Sequence, residues 1–320
     1  MLYALYLLVG IGLLTVGGEA LIRGALGAAN RLGVSPLLSG LVIVGFGTSM
    51  PEMVVSIEAA LGGQPDIAIG NVVGSNIANI LLILGLCAVI TPLAVSALAL
   101  RRDALTVIAA SLLFIVLAGS NNLTHMDAVV LLLSLLAYLV WVYWSEKFNA
   151  APSAAIHQAE AGEVSLIPKS AGWSALAIAI GFVCLIAGSK VLLMGAVGIA
   201  HGLGVSEAVI GLTLVAVGTS LPELTISVIA ALRRHADVAV GNILGSNIFN
   251  LLGILGVSAL LQPLELRGRI LAFDQWVMLG VAVLLLVFLY TGRRLSRIEG
   301  GILLIGYAAY IGASYFAIGS

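Results

Sequence analysis

Residues 45–85 and 216–256 are two versions of one segment, aligned without a gap at a constant offset of 171. The first reads GFGTSMPEMVVSIEAALGGQPDIAIGNVVGSNIANILLILG and the second AVGTSLPELTISVIAALRRHADVAVGNILGSNIFNLLGILG, with 22 of the 41 positions identical. The likeness extends upstream, where Leu32-Gly33-Val34-Ser35 matches Leu203-Gly204-Val205-Ser206. A duplication on this scale governs every other reading of the chain, because each half must fold as a variant of the other.

The solvent of those halves follows from composition. The chain is 61% hydrophobic and 9% charged, with a mean hydropathy of +1.17; a soluble domain carries roughly 25% charge. Apolar stretches of about 20 residues recur to the end, divided by short polar breaks, as a bilayer core of about 30 Å demands. Ten helices are predicted, at about 2–22, 35–61, 67–90, 104–119, 127–145, 171–192, 206–232, 238–261, 272–291 and 299–317. The opening segment resembles a signal peptide in length, but it lacks a basic start and has a counterpart at 171–192, so it is read as a mature helix. Each copy of the repeat occupies the second and third helices of a five-helix half. Five is odd, so the second half enters the membrane in the opposite sense, about a pseudo-two-fold axis in the membrane plane.

The predicted fold is therefore all-α: a polytopic membrane protein of ten transmembrane helices in two inverted five-helix repeats, 1–145 and 171–320, joined by a polar Ala/Pro-rich cytoplasmic linker at 146–170. Counting Lys and Arg orients it. With the N-terminus outside, eleven basic residues (Arg23, Arg31, Arg101, Arg102, Lys147, Lys169, Arg233, Arg234, Arg293, Arg294, Arg297) fall inside and three (Lys190, Arg267, Arg269) outside. That bias predicts a multi-pass protein of the cell membrane with both termini on the outer side. A net charge of −1 without a basic patch gives no support to a nucleic-acid partner, and no obligate protein partner is evident.

Glu52 and Glu223 fall near the middle of long apolar helices, with no Lys or Arg in neighbouring turns. An ionised carboxylate there costs several kcal/mol unless it is paired, hydrated or bound to a cation, so a functional role is the default; a protonated, hydrogen-bonded Glu is the structural alternative. Pro51 and Pro222 lack an N–H and clash with the carbonyls of Gly47 and Gly218, where the helices should break and free backbone oxygens. Thr48 and Ser49 share the face of Glu52, as Thr219 and Ser220 share that of Glu223. Asn71, Ser75 and Asn79 follow at i, i+4 and i+8, as do Asn242, Ser246 and Asn250; such rows also serve as interhelical glue. The central donors are carboxylates, hydroxyls, carbonyls and amides, with neither thiolate nor imidazole. Hard oxygen donors favour calcium and sodium.

GTSMPE and GTSLPE, each followed by GNxxGSNI, resemble the two alpha repeats of the sodium/calcium exchanger superfamily over nearly the whole chain. The resemblance implies that Glu52 and Glu223 are acidic ligands of a calcium site completed by backbone oxygens of Thr48 and Thr219. It assigns Ser49, Ser75, Ser220 and Ser246 to flanking sodium sites, Asn79 and Asn250 to the centre, and mobility to 2–22 and 171–192. Some relatives carry an acid where Asn250 stands; Asn at both central positions argues against a potassium requirement. Calcium and sodium are then cargo, and no cofactor is expected.

Other residues attract simpler readings. Glu19 and Lys190, 171 apart, are read as snorkelling to the interface; Glu58 as interfacial; Asp66 and Asp237 as N-caps; Cys87 and Cys184 as small core residues. The four His show no metal spacing. The Gly-rich GIGLLTVGG run could support sliding or close packing. Calcium/proton exchange at the same two Glu and a passive cation channel are the rival functions, and an enzyme lacks a general base near Ser49 or Ser220.

Overall fold

The computed structural model describes residues 2–32, 45–94, 98–149, 168, 170–291 and 294–316. Its elements are α1 (Leu2–Arg31), a turn at Gly45–Gly47 leading to α2 (Met50–Leu61), α3 (Pro65–Ile90), α4 (Leu98–Ala118), α5 (His125–Asn149) and α6 (Ala171–Leu203). Then come α7a (Glu207–Thr219), α7b (Leu221–Leu232), α8 (Ala236–Leu261), α9 (Ile270–Tyr290) and α10 (Arg297–Phe316). Residues 33–44, where helix 2 was predicted to begin, and most of the predicted linker lie outside the described residues. Among the described residues six helices are long and apolar enough to cross a membrane, and α7a with α7b, bent by 49°, makes a seventh. The chain is a multi-pass helical membrane protein.

α3 and α8 form its centre. The apolar stretches of these two helices are 78% and 83% buried, against 28–39% for the other four long helices. Both slip into a π-helical stretch midway, at Asn79–Leu84 and Asn250–Ile254. Two short antiparallel ribbons tie the halves at their rims: β1 (Leu93–Ala94) pairs with β4 (Arg294–Leu295), and β2 (Asn122–Leu123) with β3 (Leu264–Glu265). Away from the centre, buried Asp103 and Asp274, again 171 apart, accept from Tyr138 and Tyr310 and pair with Arg102 and Arg269. These clusters clasp α4 to α5 and α9 to α10.

α1 and α6 run antiparallel in close contact because glycines line the seam. Gly10, Gly17 and Gly24 face Leu192, Leu185 and Ile178; Gly181, Gly188 and Gly195 face Leu21, Leu14 and Leu7. The residue numbers of every pair add to 202, so one register holds along the whole seam. A Cβ at Gly188 would stand 2.9 Å from the Leu13 Cβ and 3.0 Å from the Leu14 nitrogen. Only glycine admits backbones this close.

Several sequence expectations are corrected. α1 continues past 22 to Arg31 and α6 past 192 to Leu203. Charge marks the edge of hydrocarbon, not of a helix, and at about 1.5 Å per residue α1 is about 45 Å long, longer than the bilayer core. α6 stops at Gly204, whose φ of 65° is the left-handed cap that glycine accepts freely. α5 reaches Asn149, four residues into the predicted linker. Asp66 and Asp237 sit inside the first turns of α3 and α8, while Gln64 and His235 occupy the caps; acids there still favour the positive helix end. Glu19 pairs with Arg23 one turn on, and Lys190 is exposed. Cys87 is buried, Cys184 half-buried, and both are free.

The seam predicts a sharp contrast. Gly188→Leu should lower stability by about 1–3 kcal/mol or more through overpacking, whereas Gly12→Leu, with nothing within 4 Å of its Cβ position, should be neutral. Thermal unfolding in detergent compares the two.

Candidate cation site

The site is assembled where the two prolines interrupt their helices. Ser49 (φ −86°, ψ 11°) and Ser220 (φ −80°, ψ 11°) are the break points, with nearly identical backbone. The helices restart at Met50 and Leu221 with Pro51 and Pro222 in the first turn, where a missing N–H costs least. Gly47 and Gly218 were expected to be the breaks. They instead belong to the preceding helical turns and press on α1, where a Cβ would meet Ile22 at 2.6 Å and Ile11 at 2.8 Å. The break falls two residues later because the proline ring disrupts the backbone just before itself while the following turn is already re-formed: Met53 and Leu224 donate to the carbonyls of Ser49 and Ser220.

Glu52 and Glu223 open the restarted helices and are fully buried. Each is held by the serine of the opposite repeat: Ser49 Oγ donates to Glu223 Oε1 at 2.8 Å, and Ser220 Oγ to Glu52 Oε1 at 2.8 Å. This crossed pair brings the two Pro-Glu motifs face to face. Ser246 Oγ also donates to Glu223 Oε1 at 3.3 Å and lies 3.5 Å from Thr48 Oγ1. Thr219 Oγ1 donates to Asn71 Oδ1 (3.1 Å) and the Ala216 carbonyl (3.2 Å), to which Ser75 Oγ donates at 3.4 Å. Asn71 and Asn242 take the alternative role of glue, donating to Ser56 and Ser227 at 3.0 and 3.1 Å and so fastening α3 to α2 and α8 to α7b.

Asn79 and Asn250 stand deeper, on the central helices. Asn79 Nδ2 donates to Asn247 Oδ1 (2.9 Å) and Asn250 Nδ2 to Asn76 Oδ1 (3.1 Å). Asn76 and Asn247 in turn donate to each other's backbone carbonyl, at 3.3 and 3.2 Å. Sequence reading missed this pair. Both stand in the repeated GSN triplet but off the i, i+4, i+8 stripe, on the face turned to the partner helix.

Among the described residues, Glu52 Oε2, Glu223 Oε2, Asn79 Oδ1, Asn250 Oδ1 and Asn242 Oδ1 are buried acceptors without a donor, and neither Glu is in an ion pair. Buried polar atoms are nearly always satisfied, and each exception requires a reason. All five of these atoms are oxygens and two belong to carboxylates, which is a donor set for a hard cation. No group of three or more His, Cys, Asp or Glu that could hold a metal ion occurs among the described residues. Such a site draws on hydroxyls and amides as much as on acids.

Fold and site together define a multi-pass membrane protein with an oxygen-rich, acidic centre at the junction of two repeats. Residues 2–144 and 173–316 match the family described as sodium/calcium exchanger protein, and the chain belongs to that family of cation antiporters. It is 39% identical over 314 residues to "Putative antiporter CaxA" of Alkalimonas amylolytica, covering 96% of each chain. It is 32% identical to "Sodium/calcium exchanger MaX1" of Methanosarcina acetivorans, covering 96% of this chain and 97% of that one. Among solved structures it resembles the sodium-calcium exchanger NCX_Mj, with a TM-score of 0.66 and 32% identity over 97% of this chain and 98% of that one.

The reciprocity of the crossed bonds is itself testable. A hydrogen bond to a buried charged group contributes about 1.5–3 kcal/mol, so Ser49→Ala and Ser220→Ala should each destabilise the protein by about that amount. Glu223 Oε1 keeps Ser246 when Ser49 is lost, whereas Ser75 bonds the Ala216 carbonyl and not Glu52, so Ser220→Ala should cost more than Ser49→Ala in thermal unfolding; a loss confined to one variant would contradict the reciprocal arrangement.

Proposed function

We propose that this antiporter exchanges calcium for sodium by alternating access at a midplane site, and that Glu52 and Glu223 are the acidic ligands. One observation carries the reading: two buried carboxylates, crossed by the opposite repeat's serines, each keep one oxygen without a donor among the described residues. Thr48 and Thr219 complete the calcium site; Ser49, Ser75, Ser220 and Ser246 bound the sodium sites; Asn79 and Asn250 contribute at the centre, and Gly47 and Gly218 through their carbonyls. Pro51 and Pro222 have no N–H to offer those carbonyls, which supports the last assignment. Calcium and sodium are the transported ions, with no cofactor and no obligate protein partner beyond the bilayer.

The ribbons support ten spans in two inverted halves, 1–145 and 171–320, about a linker. Paired strands lie on one side of a membrane, so an even number of crossings separates them. α4 to α9 provide six between β1 and β4, and α5 to α8 provide four between β2 and β3. Five helices separate β1 from its repeat counterpart β3, so those two fall on opposite faces. The basic residues then favour a cell-membrane protein with the linker inside and both termini outside.

Sodium is preferred over protons because hydroxyls flank the carboxylates. Relatives point the same way: MaX1 is named a sodium/calcium exchanger, and the NCX_Mj crystals were soaked with Na+ and Sr2+. Three sodium ions replacing one calcium would take the two-carboxylate site between about +1 and neutral, so exchange should be electrogenic.

Gradient-driven calcium uptake into proteoliposomes tests the whole reading. An outward sodium gradient should drive uptake, a pH gradient alone should not, and either Glu52→Gln or Glu223→Gln should abolish it. Normal uptake in both variants would remove the site from consideration. Uptake on the pH gradient alone would reassign the counter-ion, and non-saturating flux without one would indicate a channel.

A further inference from the structure

We propose that Asn76 and Asn247 are positioning residues that fix the direction of the central carboxamides, so that Asn79 and Asn250 offer oxygen and not N–H to the transported cation. The inference rests on the cation-site reading above and deepens it. A carboxamide has two near-isosteric ends of opposite polarity. Reversed, Asn79 or Asn250 would point N–H donors at a cation, so something must hold each in one sense.

The structure supplies that constraint in three links. A backbone carbonyl only accepts, so the Asn76 atom 3.3 Å from the Asn247 carbonyl must be its nitrogen. The other end of the same amide, Oδ1, therefore faces Asn250, and an oxygen demands a donor there: Asn250 Nδ2, at 3.1 Å. With its nitrogen so engaged, Asn250 turns Oδ1 the other way, where it is buried with no donor among the described residues. The mirrored links run from the Asn76 carbonyl through Asn247 to Asn79, at 3.2 and 2.9 Å, and end on an equally orphaned Asn79 Oδ1.

Two features distinguish this from ordinary packing glue. Asn71 and Asn242 spend their N–H on serines of their own repeat, whereas the carboxamides of Asn76 and Asn247 give their N–H to a backbone carbonyl of the other repeat and their oxygen to its central Asn. The links also end where each central helix passes into its π-helical stretch, which begins at Asn79 and at Asn250; such local π geometry is frequent at functional sites. A backbone carbonyl cannot flip, so polarity read from it passes to the site without ambiguity.

The test is a double-mutant cycle on calcium affinity, measured by equilibrium binding to purified protein in detergent. Asn76→Ala frees the Asn250 amide and should weaken calcium binding about tenfold or more, the loss of one charge-assisted contact. Asn250→Asp replaces the amide by a carboxylate, both ends of which are acceptors, so direction no longer matters. In that background Asn76→Ala should cost less than about threefold, or improve binding by removing an oxygen that faces the carboxylate. A structural role alone gives the same loss in both backgrounds and overturns the inference, as does unchanged affinity in Asn76→Ala. If Asn76→Ala fails to fold, Asn76→Ser, whose hydroxyl has no fixed polarity, runs the same cycle. Glu52→Gln is measured alongside: retained calcium binding there sinks the cation-site reading, whereas its loss beside an additive cycle sinks only the orientation role.

Discussion

The structure is organised around two carboxylates that are fully buried and, among the described residues, gain no cationic side chain. Taking such a group out of water costs far more than any single contact returns. The fold meets that cost in part, giving each Glu one hydroxyl from the opposite repeat and leaving its second oxygen open. Much else serves that geometry. The prolines break α2 from its leading turn and α7b from α7a so that each Glu starts a helix instead of lying midway along one. Glycines bring α1 against α6 and against the broken ends, and α3 and α8 close the far side with amides and serines.

The crossed pattern follows from duplication. When two copies of one segment meet about a two-fold axis, a contact from residue i to j in the other copy brings its reciprocal with it. The serine–glutamate, glutamine-free amide and ribbon contacts all come in such pairs. A single segment thereby encodes half of a site, and assembly of the site is the same event as packing the halves. Breaking one crossed bond leaves its reciprocal in place but removes a donor from the carboxylate of the other repeat, so the two halves are coupled through the site itself.

Much of this was legible in the chain. Two acids in apolar surroundings, each beside Pro and small hydroxyl residues, needed no coordinates to be recognised, because their cost in a bilayer is independent of fold. What was missed depends on three-dimensional partners. The ends of α1 and α6 were misplaced because Arg23 and Lys190 mark where hydrocarbon thins, while a helix continues for as long as it has something to pack on. Asp66 and Asp237 were placed two positions too early, at the cap and not at the second helical residue, because a proline or alanine, and not the acid, opens those helices. Asn76 and Asn247 escaped because helical periodicity sorts residues by face, and the face they occupy becomes meaningful only when the other repeat lies across it.

The site departs from symmetry in one region. The Asn76, Asn79, Asn247 and Asn250 amides reciprocate link for link, yet Thr219 Oγ1 reaches Asn71 Oδ1 at 3.1 Å while its counterpart Thr48 Oγ1 lies near Ser246 and Asn242 Oδ1 has no donor among the described residues. Ser246 touches its own repeat's Glu223, whereas Ser75 turns to the Ala216 carbonyl of the other half. The same residue types therefore stand in two different arrangements within one molecule, one in each repeat. On the alternating-access reading, the opposite-facing state has these roles exchanged, Thr48 bonding Asn242 and Asn71 released. The amide links are symmetric and would be the same in both states, so on that reading the hydroxyl rim is the part that would switch.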